Sequence, residues 1–423
     1  MRLRQIFSSF SHSNFKYYFT GQGLSLVGTW MQSTAMGWLV YRITGSSSKL
    51  GAVGFVTMLP ALVFGYVAGV FSDRIERKKG LYVTQSVAML CAILIAWLSW
   101  SGQMKISYIM LIGFVSGMAG AFDMPLRQSF VIEMVGREQL PNALALNSIM
   151  FNASRMIGPA LAGFIIKYSD ESVCFWINSF SYIFIMYALI KIKPYHIEKK
   201  KSDGSTVMSD LKSGLSYTLR TPYIKYPLSF LMILSFVIMP VVTLLPVYVK
   251  HLNGDSRTMG IFMSLIGLGA IVSGLQMAGN RNNRSLALII SRYSLLYGCA
   301  LILLSFSRSL IFSGLFLFLV GVGTSRQTVG INTLIQTLVK EEMRGRGVSI
   351  YALSFMGLAP FGNIFWGWLA EKAGISTAVF FGGLWIIAAN MWFIGKMSGF
   401  KRMLLAEKEK YDFNEYQNLK ELI

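Results

Sequence analysis

Long apolar runs alternate with short polar breaks along almost the whole chain. A helix of ~20 apolar residues is long enough to cross a ~30 Å hydrocarbon layer. Read at that length, the pattern predicts about twelve spans. They lie near 15–41, 47–71, 79–100, 106–130, 139–167, 172–191, 223–250, 258–279, 285–307, 309–335, 346–370 and 375–398. The longest interior break is 192–222, which begins Lys193-Pro194 and passes through Lys199-Lys200-Lys201. Val207, Leu211, Leu215 and Leu219 follow at the spacing of an amphipathic helix lying on a membrane surface. This break reads as a cytoplasmic linker between an N-terminal bundle, 1–191, and a C-terminal bundle, 223–398, with a polar cytoplasmic tail at 399–423. The predicted fold class is an all-α membrane protein: transmembrane helices in two pseudo-repeated six-helix bundles around a central cavity.

The two halves echo each other. Asp73-Arg74-Ile-Glu-Arg77-Lys78 separates the second and third spans, and a worn copy, Asn280-Arg281-Asn-Asn-Arg284, separates the eighth and ninth. Gly117, Val135, Glu138, Gly158 and Gly163 recur at one common spacing as Gly321, Val339, Glu342, Gly362 and Gly367. Parallel repeats are the organisation expected of a transporter with a central path between its halves.

Composition sharpens the class. Charged residues make up 14% of the chain against 54% hydrophobic, whereas soluble domains carry about 25% charge. The net charge of +20 would suggest nucleic acid in a soluble protein. Here most Lys and Arg lie in the termini and in the loops after even-numbered spans, which predicts both termini in the cytoplasm. The basic surface then fixes orientation and meets anionic lipid heads rather than nucleic acid. The start of the chain is polar and basic, without the apolar core of a cleaved signal peptide. Cys91, Cys174 and Cys299 all fall within spans and show no metal or disulfide spacing, so they read as small core residues. No metal or other cofactor is expected.

The basic loop, with Gly69, Asp73, Arg74, Arg77 and Lys78, resembles the signature GxxxDRxxR[KR] of the major facilitator superfamily. Glu76 replaces a common glycine, and the second copy has Asn280 for the aspartate and Gln276 for the glycine. The resemblance implies a cytoplasmic latch between the halves. Asp73 could sit against a helix N-terminus, and the arginines could bridge carboxylates or lipid phosphate. Gly158, Pro159 and Gly163 resemble the family's antiporter motif, gxxxGPxxGG, with departures at Ser154 and Ala162. The drug-antiporter pattern of the fourth span keeps its glycine core around Gly117 but lacks its arginine. Asp123-Met-Pro-Leu-Arg127, Leu140-Pro-Asn-Ala, Asn332-Thr-Leu-Ile-Gln336 and Arg344-Gly-Arg346 resemble the bacterial branch containing siderophore exporters and macrolide efflux pumps. That branch implies ion-driven export across the bacterial inner membrane by a protein working as a monomer. There is no phosphate-binding loop for ATP hydrolysis and no nucleophile–base pair, so no enzyme is expected.

Charges inside spans cost several kcal/mol unless paired or hydrated, so each is a functional candidate. They are Asp123, Arg127, Arg155, Arg292 and Arg326. Asp123 is the one deep carboxylate. Counted from the start of its span it lies ~26 Å inward at ~1.5 Å per residue, in the cytoplasmic third, and out of reach of Arg155. Arg127 is one turn away on the same face. Asp123 with Arg127 or Arg326 is therefore a candidate proton-coupling gate, weighed evenly against a permanent ion pair. A polar stripe of Gln22, Ser25, Thr29, Gln32 and Ser33 on the first span, with Ser148, Asn152 and Arg155 on the fifth, is the candidate substrate cavity. Trp30, Met31, Met36, Phe236 and Met239 read more as packing than as site. Arg155, the cation predicted nearest mid-membrane, suits an anionic or electron-rich substrate.

The leading reading is a secondary exporter of a siderophore or similar amphipathic small molecule, by alternating access and proton antiport. The alternatives are a multidrug or macrolide efflux pump, a lysophospholipid facilitator and, from a different class, a non-transporting membrane receptor or scaffold.

Overall fold

A computed structural model describes residues 8–195, 216–279, 285–339 and 344–406. Most of the predicted linker and tail, and the worn second copy of the basic loop, lie outside the described residues. The expectation of an amphipathic helix through Val207 and Leu211 therefore falls outside them too. A 3-10 turn, Ser8–Ser11, leads into α1 (Ser13–Thr44), α2 (Ser47–Arg74), α3 (Arg77–Trp100), α4 (Ile106–Tyr168) and α5 (Glu171–Lys191). Then come α6 (Pro222–Thr243), α7 (Leu245–His251), α8 (Ser256–Gly279), α9 (Leu286–Phe306), α10 (Leu310–Leu338), α11 (Arg344–Gly357), α12 (Ala359–Ala373) and α13 (Ile375–Ala406).

The chain is an all-α membrane protein, and α5 shows why. Its outward face carries Ile177, Phe180, Ile183, Phe184, Tyr187 and Ile190, all exposed. Its inward face carries Asn178, Ser179, Ser181 and Ala188, all buried. Small and polar side chains let helices approach and bond to one another while large apolar ones meet lipid, the reverse of a water-soluble bundle. Among the described residues nine helices are long and apolar enough to cross a membrane.

Three predicted boundaries change. The fourth and fifth spans are two helices that meet within α4, parted by the single non-helical residue Gly136 (φ 74, ψ 178). Only glycine adopts that conformation without strain, so the turn costs a single residue where a loop was expected. The predicted span 223–250 breaks at Leu244, four residues after Pro240, into α6 and α7. The predicted span 346–370 is the pair α11 and α12, parted at Leu358 with Pro360 in the first turn of the second helix. Cys91 and Cys174 are buried, but Cys299 is exposed on α9, which corrects its reading as a core residue.

The chain divides into two compact units, one of 1–203 with 249–267, the other of 204–248 with 268–423. In the first, α1 packs on α4 and α5, α2 on α4, and α3 on α4 and α5. Phe15, Tyr18, Leu126, Phe130, Met134, Leu146 and Ile185 belong to its core. In the second, α9 packs on α10 and α13, while α6 packs on α11, α12 and α13.

Candidate functional site

The first unit is organised around a buried carboxylate. Asp123, 8% exposed, lies on α4 before the Gly136 break. Its Oδ1 accepts hydrogen bonds from Thr84 Oγ1 at 2.9 Å and Gln85 Nε2 at 2.6 Å on α3. Its Oδ2 accepts from Arg127 Nε at 2.9 Å and from Arg127 Nη2. One helical turn separates acid and arginine, the spacing at which such pairs meet. Both oxygens of Asp123 thus serve as acceptors, and the charge is paired inside the bundle. The sequence offers Asp123 a partner in Arg127 or Arg326 but does not single out Thr84 and Gln85, which with Ser86 form a short polar stretch in a largely apolar span.

The basic loop is held by the same unit. Arg77 pairs with Glu133 at 2.5 Å, both side chains under one-fifth exposed. Lys78 Nζ donates to the Ile192 carbonyl at 2.8 Å, just past the C-terminus of α5, where a cation meets the helix dipole. Tyr195 N bonds the Glu133 carbonyl, and Asn14 exchanges two hydrogen bonds with the Lys193 backbone. A Cβ at Gly69 would meet nothing within 4 Å. The expectations for the Asp73 and Arg74 side chains lie outside the described residues.

The predicted polar stripe on α1 divides by face. Gln22 and Ser25 are buried, whereas Thr29 and Ser33 are exposed. Thr29 Oγ1 donates to the Ser25 carbonyl, and Gln32 Oε1 accepts from Asn178 Nδ2 at 2.7 Å. On α4, Asn152 donates to the Ser148 carbonyl. Arg155 stacks over the Trp30 ring at 5.7 Å, and Trp30 meets Phe151 edge-on. Arg155 makes no ion pair among the described residues. Phe236 packs against Phe365, Trp366 and Trp385 and Met31 is buried, in keeping with packing roles.

Pro159 and Gly163 lie where α4 crosses the first half of α8, whereas Gly158 faces α1, where a Cβ would lie 2.6 Å from Trp30 Cβ and 2.8 Å from the Val27 carbonyl oxygen. A Cβ on Gly260 would lie 3.0 Å from Gly163 Cα, so neither position has room for a side chain. Ser256 Oγ donates to the Gly163 carbonyl and Ser264 Oγ to the Met156 carbonyl. Lys167 pairs with Asp255 at 2.8 Å beside the crossing. That ammonium, helped by Thr258 donors, holds the Asp255 carboxyl at about 2, below the usual carboxylate range.

In the second unit Arg326 is buried, 6% exposed. It donates from Nη1 to the Ser273 carbonyl at 3.0 Å and stacks on Tyr293 at 5.3 Å. Its neighbour Gln327 accepts from Ser294 Oγ at 2.6 Å. Sequence reasoning missed a polar face on α10: Ser325, Thr328 and Asn332 are half-buried and Gln336 is exposed. Its three- to four-residue spacing is visible in the sequence.

Comparison with known proteins names the fold. The staphyloferrin A transporter of Staphylococcus aureus is 25% identical over 386 residues, covering 89% of this chain and 95% of that protein. Macrolide efflux protein A of Streptococcus pyogenes is 24% identical over 383 residues, covering 88% and 93%. A bacterial homologue of the iron transporter ferroportin, in an inward-facing state, superposes with a TM-score of 0.72 at 15% identity, covering 94% of this chain and 99% of that one. A bacterial homologue of the lysosomal transporter Spinster gives 0.73 at 11% identity, covering 91% and 97%. The family described as transmembrane secretion effector matches residues 5–417. The chain therefore belongs to that family of major facilitator transporters, multi-pass membrane proteins that move small molecules and are not enzymes.

Proposed function

We propose that this protein is a secondary exporter that moves a siderophore or similar amphipathic small molecule out of the cytoplasm by proton antiport. It works as a monomer in the bacterial inner membrane with both termini cytoplasmic. The observation that carries the reading is a polar, charge-bearing interior in a chain similar along most of its length to a staphyloferrin A transporter. A passive receptor or scaffold would have no use for buried Asp123, Arg127 and Arg326. In this reading Gln22, Ser25, Thr29, Gln32, Asn152 and Arg155 belong to the substrate cavity, with Arg155 over Trp30 offering its charge to the substrate. Asp123 with Arg127 or Arg326 forms the coupling gate. Gly69, Asp73, Arg74, Arg77 and Lys78 form the cytoplasmic latch, and Gly158, Pro159 and Gly163 the close-packed antiporter motif. The two halves, 1–191 and 223–398, alternate access around that cavity.

The test is a deletion strain and its parent in iron-poor medium, with siderophore quantified inside and outside the cells. Loss from the medium with accumulation inside, restored by the gene, is the expected outcome. Equal export by both strains would sink the reading for the host's own siderophore. The similarity to macrolide efflux protein A and to the multidrug efflux pump Tap of Mycolicibacterium fortuitum then brings drug efflux forward.

A further inference from the structure

The second unit holds a charge without an answer. Its described residues contain a single carboxylate, Glu371, exposed near the end of α12. None lies in the helices around Arg326. Arg326 is nevertheless more than nine-tenths buried, and its Nε has no hydrogen-bond acceptor among the described residues. The adjacent Gln327 is fully buried, and its Nε2 has no acceptor either. The guanidinium is oriented from two sides, by the Ser273 carbonyl on α8 and the Tyr293 ring on α9. Ser325 Oγ reaches the Ala270 carbonyl on the same stretch of α8. Asp123, a buried acid of the first unit, is already taken up by Thr84, Gln85 and Arg127.

A buried arginine left unpaired is costly, and a buried donor without an acceptor adds to that cost. Two such donors side by side, in a unit whose described residues hold no buried acid, want an acceptor that carries negative charge. The polar face formed by Ser325, Thr328, Asn332 and Gln336 runs from exposed Gln336 along α10 to the residue beside Arg326. Gln336 bonds Asn332 at 3.0 Å, and Tyr351 on α11 bonds the Thr328 carbonyl at 3.1 Å. That face gives the charge a hydrated approach through an otherwise apolar helix.

We infer that Arg326, with Gln327 beside it, is an anion-binding site on α10 that takes a carboxylate of the transported molecule. This rests on the export reading and narrows it, because the substrate is then an organic acid rather than a neutral or cationic drug. The guanidinium supplies a fork of N–H donors that an ammonium lacks. The polar face of α10 admits the remainder of an amphipathic molecule.

The experiment uses the full-length purified protein in lipid nanodiscs, with 1-naphthylacetate and its methyl ester as probes followed by naphthyl fluorescence. The two share a ring system and differ in charge. Wild type is expected to prefer the acid. Arg326→Gln should weaken acid binding by about ten- to hundredfold, the value of a charge-assisted hydrogen bond, and leave ester binding unchanged. Arg326→Lys, which keeps the charge and guards against loss of fold, should retain part of the preference. Val322→Asp sets an acid one turn before Arg326, copying the spacing of Asp123 and Arg127, and should abolish the preference by occupying the guanidinium. Equal binding of acid and ester by wild type overturns the site. So does a preference that survives Arg326→Gln but is lost in Arg155→Gln. Export of siderophore by cells whose protein shows no acid preference would sink the site and leave the export reading standing. An Arg326-dependent preference in a protein that moves neither siderophore nor macrolide would do the opposite.

Discussion

The α3–α4 pair of the first unit and the α9–α10 pair of the second solve one packing problem with different chemistry. In the register that matches Gly117 with Gly321, Asp123 corresponds to Gln327. Each reaches from the later helix to a hydroxyl on the earlier one, Asp123 to Thr84 and Gln327 to Ser294. The first pair adds an arginine one turn on and neutralises it on the spot. The second carries its arginine beside the glutamine and leaves it without a carboxylate among the described residues. One polar helix–helix bond common to both halves can therefore be a closed charge pair in one and an open one in the other. The closed pair suits a coupling or bracing role, and the open one suits ligand recognition.

The largest expected effect comes from opening the closed pair. Asp123→Ala leaves the Arg127 charge buried without its partner, a loss on the order of 3–5 kcal/mol. The purified protein should show it as a marked drop in unfolding temperature. Arg127→Gln in the same chain should restore much of the loss, since no lone charge then remains. A gate and a brace part at Asp123→Asn. Under the gate reading, siderophore transport falls and its pH dependence changes; transport unaltered at every pH leaves only the brace.

Next is Arg77→Ala, which removes the bond from the basic loop to Glu133. Hydrogen bonds to charged groups contribute about 1.5–3 kcal/mol, and this pair is largely sheltered. Destabilisation on that scale, with export retained, would make the loop chiefly an internal tie of the first unit. Export lost at unchanged stability would favour the latch. A smaller effect is expected in the second unit from Ser294→Ala, which removes one neutral hydrogen bond worth about 0.5–1.5 kcal/mol. If that variant proves as damaging as Asp123→Ala, the two pairs are not counterparts.

How much of this the sequence discloses follows from the range of the forces involved. Helix positions, the membrane class and the Asp123–Arg127 pair depend on local spacing, and each is readable from apolar length or a one-turn interval. Thr84 and Gln85 gain meaning only when α3 lies against α4, which local pattern does not specify. The break at Gly136 escaped for a different reason. A polar stretch with one glycine reads equally as a loop or as a tight joint, and only the backbone angles decide. The polar face of α10 is legible at helical spacing, yet the sequence marks Arg326 only as a gate partner, because depth can be counted along a chain and missing partners cannot.

The smallest expected effect concerns the crossing of α4 and α8, where an ion pair sits beside close-packed glycines. Lys167 and Asp255 are well exposed, 38% and 46%, so water screens much of their attraction. Asp255→Asn should cost less than about 1 kcal/mol at neutral pH. The sign with pH follows from the lowered carboxyl. Its folded value, about 2, lies below the ordinary 3.8. The contribution is thus complete above pH ~4 and is lost as pH falls through ~2. Wild type and Asp255→Asn should differ slightly in unfolding temperature at pH 7 and converge toward pH 2. A gap that stays constant across that range would mean the charge is not what Asp255 contributes. The Gly163–Gly260 contact and the Ser256 and Ser264 hydrogen bonds would then hold the crossing without it.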